Sequence, residues 1–252
     1  MTARPARTPM SADAETQIAE ASPPPAPRLM APFVLTESDA RAAALAWLGA
    51  RWLTPWTFVR QARRDPLAAS YVPSWMFSAH AVAHWEGPGL RGIVEMDFGG
   101  LPVSADPAAD TLPESLAPWP AHTLRAVDGD VPQADDRPRG RATRDVADAA
   151  TLAHQRMERD LIATARASQP AKQRDKLRLL GVEYPRETAA LALLPVWALD
   201  CVHLGRSHRI AINGTTGRVS GRVPASVTRI AVVAAALLAL LAAVAWRALA
   251  DA

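Results

Sequence analysis

Six histidines, one cysteine and a scatter of carboxylates are the groups through which this 252-residue chain could carry proton, metal or nucleophile chemistry. Their spacing supports little of it. His80 and His84 fall on one face of an apparently extended segment, where four residues of strand set them roughly 13 Å apart, too far to share a metal ion. On a helix the two would be adjacent, so that pair depends on the form of the segment. His203 and His208 can meet across a hairpin, and His154 precedes Glu158 at the spacing of a solvated helical face. Cys201 stands alone, which excludes an intramolecular disulfide, fits a reducing compartment and reads as a small buried hydrophobe. Neither GxSxG nor HExxH occurs, and no GxxxxGK[ST] loop is present to cradle a nucleotide. The expectation is therefore no catalytic residue, no cofactor and no metal. A hydrolase built from the acidic stretch Glu95 to Asp136 would need convergent carboxylates in a pocket; in a loop-like segment solvation accounts for them.

The run Arg137-Pro138-Arg139-Gly140-Arg141-Ala142-Thr143-Arg144 could touch phosphate. No aromatic side chain is interleaved to stack on bases, so it reads as a solvated linker. The formal charge of +3 is modest and spread along the chain, and does not by itself imply nucleic acid. Lys172 and Lys176 are the only lysines, a bias toward Arg that accompanies abundant Ala and Pro.

The elements that would position these groups are partly legible. Residues 1 to 31, with SPPPAP at 22 to 27, predict a disordered tail. No apolar stretch of signal-peptide type occurs in it. Thr36 is the expected N-cap of a helix from Glu37 to Leu53, with Leu45, Leu48 and Trp52 on its apolar face and Pro55 ending it. A second short helix is expected from Pro55 to Arg64. In YVPSWMFSAHAVAHW, residues Trp75, Phe77, Ala79, Ala81, Ala83 and Trp85 alternate onto one face of a strand. Gly87-Pro88-Gly89 turns the chain toward a second strand near Ile93 to Phe98. Short strands are expected at Leu101 to Ser104 and His122 to Val127. Val146, Ala150, Ala153, Met157 and Leu161 stripe a helix over 144 to 167. Strands return at 191 to 204 and 208 to 212, with Asn213-Gly214-Thr215-Thr216-Gly217 as a closing turn in which both glycines permit positive φ. Its backbone amides could also hold an anion.

Two segments resemble each other: Tyr71-Val72-Pro73-Ser74-Trp75 and Leu193-Leu194-Pro195-Val196-Trp197. Each puts Pro at an expected strand start, where no ladder bond is lost, and Trp two residues later in the core. They are either a duplicated unit or coincident strand starts.

The C-terminal end carries the strongest signal. Arg229 and Arg247 bracket 17 uncharged residues, Ile230 to Trp246. At about 1.5 Å per residue a helix of that run covers roughly 25 Å, short of the roughly 30 Å hydrocarbon core. Snorkelling arginines and an interfacial Trp246 make up the difference. Residues 229 to 247 are expected to form a single transmembrane helix. Arg206, Arg209, Arg218, Arg222 and Arg229 outweigh Arg247 across it, which places the N-terminal domain in the cytoplasm. The small residues of the span do not settle whether it self-associates.

The order Pro32-Phe33, Trp47, Trp52, Pro55, Tyr71-Val72-Pro73-Ser74-Trp75, Leu194-Pro195-Val196-Trp197 and Asn213-Gly214-Thr215-Thr216-Gly217-Arg218-Val219-Ser220-Gly221 with Pro224, followed by a membrane helix, resembles a bacterial membrane-anchored family. Its members are often labelled zinc-ribbon proteins or relatives of the primosomal replication helicase, protein N′. The resemblance spans roughly residues 31 to 250 and is only in outline over 100 to 185. Such proteins usually begin with a ribbon of paired CxxC motifs, and the N-terminal segment here has no cysteine, so zinc binding is not carried over.

The expectation is an α+β fold, mainly antiparallel sheet with two or three helices, plus one C-terminal transmembrane helix. The boundaries are a tail at 1–31, a cytoplasmic domain at 32–224 that divides as 32–130 and 144–224 if duplicated, and the span at 229–247. The function expected is a non-enzymatic binding or scaffolding module at the cytoplasmic membrane, with a cytoplasmic protein partner. The alternative is a nucleic-acid-linked accessory protein without its own ATPase activity.

Overall fold

The computed structural model describes residues 26–109, 112–127, 137–170 and 176–250. In chain order the elements are β1 (Leu29–Met30), α1 (Glu37–Gly49), α2 (Trp56–Ala62), β2 (Leu67–Gly87), β3 (Leu90–Ser104), α3 (Leu112–Ser115), β4 (Arg125–Ala126), α4 (Val146–Ala167), β5 (Arg178–Glu183), β6 (Thr188–His203), β7 (Arg206–Asn213), β8 (Val219–Gly221) and α5 (Val227–Ala250). The fold is α+β with one mostly antiparallel sheet, as expected. Among the described residues four helices rather than two or three lie on or beside it. The extra turn, α3, is too short for any periodicity to announce it.

At the centre β2 and β6 run antiparallel, pairing Leu67 with Leu199 through Ser78 with Thr188. β3 folds back along the outer edge of β2 and β7 along that of β6. The apolar face of β2 alternates from Ala79 to Trp85 as its sequence implies, whereas from Tyr71 to Phe77 consecutive residues are buried on both faces. The alternation expected from Trp75 onward therefore shows in the burial only from Ala79, because the strand before it is covered on both faces.

The two Pro-x-Trp segments do not begin their strands. Pro73 and Pro195 lie inside β2 and β6, and the two segments are neighbours, with Tyr71 opposite Pro195 and Pro73 opposite Leu193. The register places a local twofold axis between Val72 and Leu194, which carries Pro73 onto Pro195 and Trp75 onto Trp197.

Other contacts obey the same axis. Ala105 N donates to Pro73 O at 2.9 Å, and Gly214 N donates to Pro195 O at 2.8 Å. Thr143 N and Arg144 N donate to Ala105 O, just as Val34 N and Leu35 N donate to Gly214 O. The Trp75 indole donates to Arg144 O at 3.0 Å, and the Trp197 indole donates to Leu35 O at 3.3 Å. Arg144 and Leu35 each stand one residue before a helix N-cap, Asp145 and Thr36.

The packing is therefore crosswise. α1 and α2, from the first part of the chain, put Ala40, Ala44, Leu48, Phe58 and Ala62 against Trp197, Leu199, Ile210 and Ile212 of the last hairpin. α4, from the second part, puts Ala149, Ala153 and Met157 against Trp75, Phe77 and Val103 of the first. Burying such side chains stabilises by about 1.5–3 kcal/mol each for the larger ones, so each cluster is a substantial share of the core.

Several boundaries move. Thr36 caps α1 as expected, in a reciprocal capping box with Asp39, but the helix stops at Gly49. Its buried face is Ala40, Ala44 and Leu48, while Trp52 lies beyond the end and is exposed. Pro55 ends nothing; it is the N-cap of α2. In α4 the stripe is Ala149, Ala153, Met157 and Leu161, with Val146 exposed. Chain order begins before Pro32, because Leu29 and Met30 pair in parallel with Ala192 and Leu193. The rest of the expected tail, up to residue 25, lies outside the described residues, as do the acidic residues at 128, 130, 135 and 136. Leu101 to Ser104 is the end of β3, and only Arg125–Ala126 of the expected strand at 122 to 127 is extended.

The expected transmembrane helix is not supported by its dimensions: among the described residues no helix is long and apolar enough to cross a membrane. The deficit is the one visible in the sequence, where a 17-residue uncharged run stands against the about 20 residues a span needs. The helix itself is long, Val227–Ala250, and all its described side chains from Val227 to Ala243 are exposed.

Candidate functional site

Most of the residues singled out by motif come together around one aromatic cluster. The Phe33 ring meets Tyr71 edge-on at 5.2 Å and Trp197 at 5.5 Å, and the Arg137 guanidinium lies 4.3 Å over its other side. Gly214 forms the floor. A Cβ there would come within 2.8 Å of the Phe33 ring, so Gly214 serves close approach, not positive φ. Gly217 does adopt φ +74°. Asn213, fully buried, donates from its amide to Leu116 O at 3.0 Å and to Pro118 O, and accepts from Thr215 N and Thr216 N. With every amide of the turn directed inward to Asn213 or to the backbone, the turn is a structural corner. Pro195 sits beside it in β6. Tyr71, Pro195, Trp197, Asn213, Gly214, Thr216 and Gly217 thus gather at one corner, while Pro73, against Gly140, and Trp75, under α4, lie apart from it.

The arginine run is not a solvated linker. Tyr71 N donates to Pro138 O and Gly140 N to Tyr71 O, which makes this segment a strap along β2. Arg144 donates to Ser104 O at 2.7 Å. Arg137 and Arg144 are thus engaged within the chain, while Arg139 and Arg141 are exposed.

The histidines separate as well. His80 pairs across the hairpin with Asp97 at 2.8 Å, while His84 is exposed. His203 and His208 each pack edge-on against Phe58, at 5.6 and 5.4 Å. His154 stacks on Tyr184 at 4.0 Å and bonds Glu187 at 2.9 Å, tying α4 to the β5–β6 turn instead of facing water with Glu158. Burial, then the nearby Glu158 carboxylate, push the Tyr184 hydroxyl up to about 12, away from acid–base work near neutrality. Burial likewise drives the Cys201 thiol up to about 12, with the Asp65 carboxylate adding to it, so it is no nucleophile. Among the described residues no group of three or more His, Cys, Asp or Glu is placed to hold a metal ion.

A different set of side chains gathers where α5 leaves the domain. Ser226 N donates to Leu53 O at 2.7 Å, and the Ser226 hydroxyl accepts from Arg229 N, which fixes the first turn of the helix on the α1–α2 connection. The Arg229 guanidinium donates to Trp52 O. That connection is tight: Arg51 N donates to Leu48 O and Thr54 N to Arg51 O. The Arg51 guanidinium folds back over the Trp47 ring at 3.4 Å. Trp52 and Trp56 are left outward, 59% and 63% exposed.

Between them and α2 lies a cavity of about 450 Å³ lined by Arg51, Thr54, Trp56, Arg60, Arg63 and Arg229, among others, with no acidic side chain in its wall. Thr54 is only 3% exposed, and its hydroxyl has no hydrogen-bond partner among the described residues. Sequence reasoning placed Trp52 on a helix face and passed over Thr54, Arg60 and Arg63. The only available sign was the density of Trp and Arg from Trp47 to Arg64.

No family model, curated protein or solved structure matches this chain.

Proposed function

We propose that this protein is a membrane-tethered, non-enzymatic binding module, with α5 inserted in a bilayer and the β-sheet domain held at its cytoplasmic surface for a protein partner. The observation that carries this reading is the condition of α5. Val232, Leu237, Leu238, Leu240 and Leu241 are all exposed, on every side of the helix. A helix apolar all round is stable only when something apolar surrounds it, and this one meets the domain at its first turn, through Trp52, Thr228, Arg229, Val232 and Val233. The uncharged run is short by about two to three residues of rise. Snorkelling of Arg229 and Arg247, or local thinning of the bilayer, closes such a gap at a cost of fractions of a kcal/mol per Å. The excess of Arg before the span favours a cytoplasmic domain.

Membrane fractionation of the full-length chain beside a truncation ending at Arg222 tests this. The full-length chain is expected in membranes and resistant to alkaline carbonate, and the truncation in the supernatant. A full-length chain released by carbonate overturns the tether. Crosslinking on those membranes then identifies the protein held by the domain. The replication-linked alternative predicts captured nucleic acid that is lost as salt rises. No contact described above favours it, because the arginine run is drawn into the strap along β2.

A further inference from the structure

The geometry points to the cavity at the foot of α5 as a binding site for the phosphate of an anionic membrane lipid, seated between Thr54, Arg60, Arg63 and Arg229. This rests on the tether: α5 must stand in a bilayer for its first turn to lie at headgroup depth. Four independent observations converge on the same spot.

The charge has one sign. Arg51, Arg60, Arg63 and Arg229 all line the cavity, and no carboxylate does. The nearest acid along the chain, Asp65, turns toward Cys201 instead. Among the described residues none of these four arginines has a carboxylate partner, in contrast to Arg41, Arg156, Arg178 and Arg209 elsewhere in the chain. Four arginines on one wall with no carboxylate beside them attract an anion to it.

The cavity also holds an unanswered polar group. Thr54 lines the same wall, and its Oγ1, itself buried, has no hydrogen-bond partner among the described residues. A buried hydroxyl left so costs about 1–3 kcal/mol, and a turn of the side chain toward the cavity would let a phosphate oxygen accept its hydrogen.

The rim fits an interface. Trp52 and Trp56 flank the opening, exposed, and indoles favour the headgroup region, where one end is apolar and the other wet. Finally, the site is continuous with the apolar helix: Trp52 and Arg229 also line a shallow apolar pocket with Thr228, Val232 and Val233 of α5, so a lipid whose acyl chains lie along α5 brings its phosphate to these arginines. A soluble polyanion would satisfy the arginines but would leave both indoles and the apolar flank in water. We therefore assign the lipid.

The test uses the full-length protein and vesicles of phosphatidylcholine alone or with added phosphatidylglycerol. Wild type is expected to bind both, but the mixed vesicles about tenfold or more tightly, as expected for arginines at an anionic surface. This preference should fade as salt rises. The double variant Arg60→Gln, Arg63→Gln should keep binding to neutral vesicles and lose most of the preference. Thr54→Val, which retains the shape and removes the hydroxyl, should reduce it while raising the melting temperature of the lipid-free protein. An undiminished preference in the double variant overturns the assignment to this cavity. Loss of the preference on adding inorganic phosphate at constant ionic strength reassigns the site to a free anion and overturns the lipid. Failure of wild type to bind neutral vesicles overturns the tether, which is read separately from the preference.

Discussion

At the scale of single residues, the two tryptophans related by the local twofold show how one side chain can serve packing and hydrogen bonding together. Each fills the core with its ring and satisfies, through its indole N–H, a carbonyl just ahead of a helix cap. Replacing Trp75 by Phe removes the donor to Arg144 O, a bond of 3.0 Å, and leaves a smaller ring. The expected loss is about 2–4 kcal/mol, from the unpaired carbonyl and the residual cavity together. Trp197→Phe breaks the longer bond of 3.3 Å to Leu35 O and should cost less. Urea unfolding of the two variants side by side checks the order, and a reversed order contradicts this account. Both tryptophans were legible as core residues in the sequence, because alternation places them on one face of a strand. Their carbonyl partners were not, since those lie far away along the chain and no local pattern encodes them. Gly214 and Thr54 were illegible for the same reason: one is required by the approach of Phe33, and the other matters through what it lacks.

At the scale of elements, the hairpins and the helix caps were the legible part. The Thr36 cap, the Gly87-Pro88-Gly89 turn and the alternation from Ala79 to Trp85 are all local signals, and each is found where its chemistry puts it. The prolines misled. Alone, each argues for a strand edge, but their lack of an N–H is accommodated in the middle of the sheet because both carbonyls are used and the two segments face each other. The β6–β7 hairpin carries an inexpedient turn. Its two-residue loop, Leu204-Gly205, has φ values of 50° and 75°, both left-handed, and such loops favour Asn-Gly. Leucine in that region costs about 1 kcal/mol, and the side chain is fully out in solvent. Leu204→Asn is therefore expected to raise stability by about 0.5–1 kcal/mol, seen as a higher melting temperature. No gain, or a loss, would mean that Leu204 is held by contacts outside this chain.

At the scale of the whole molecule, the crosswise arrangement decides what can stand alone. The first part of the chain contributes β2 and β3 but not α4, which covers Trp75, Phe77 and Val103, and its α1 and α2 cover strands from the second part. A fragment of residues 26–143 retains the first hairpin with Trp75, Phe77 and Val103 uncovered, and α1 without Trp197, Ile210 and Ile212. It is expected to show no cooperative thermal transition and to bind hydrophobic dyes, whereas an autonomous fold in this fragment would contradict the crosswise packing. Sequence similarity between the two Pro-x-Trp segments hinted at two related parts. It could not disclose that they interlock, because register between distant strands is a tertiary property.

The interlocking has a consequence for how the protein is made. A ribosome delivers α1 early, yet the surface α1 must cover is among the last parts of the domain to emerge, just ahead of α5. For most of synthesis the leading helices have nowhere to dock. The sheet can close only when β6 and β7 have cleared the exit tunnel, at about the moment α5 is still inside it and then reaches whatever machinery receives an apolar helix. Folding of the domain and emergence of its last helix thus fall into the same short interval.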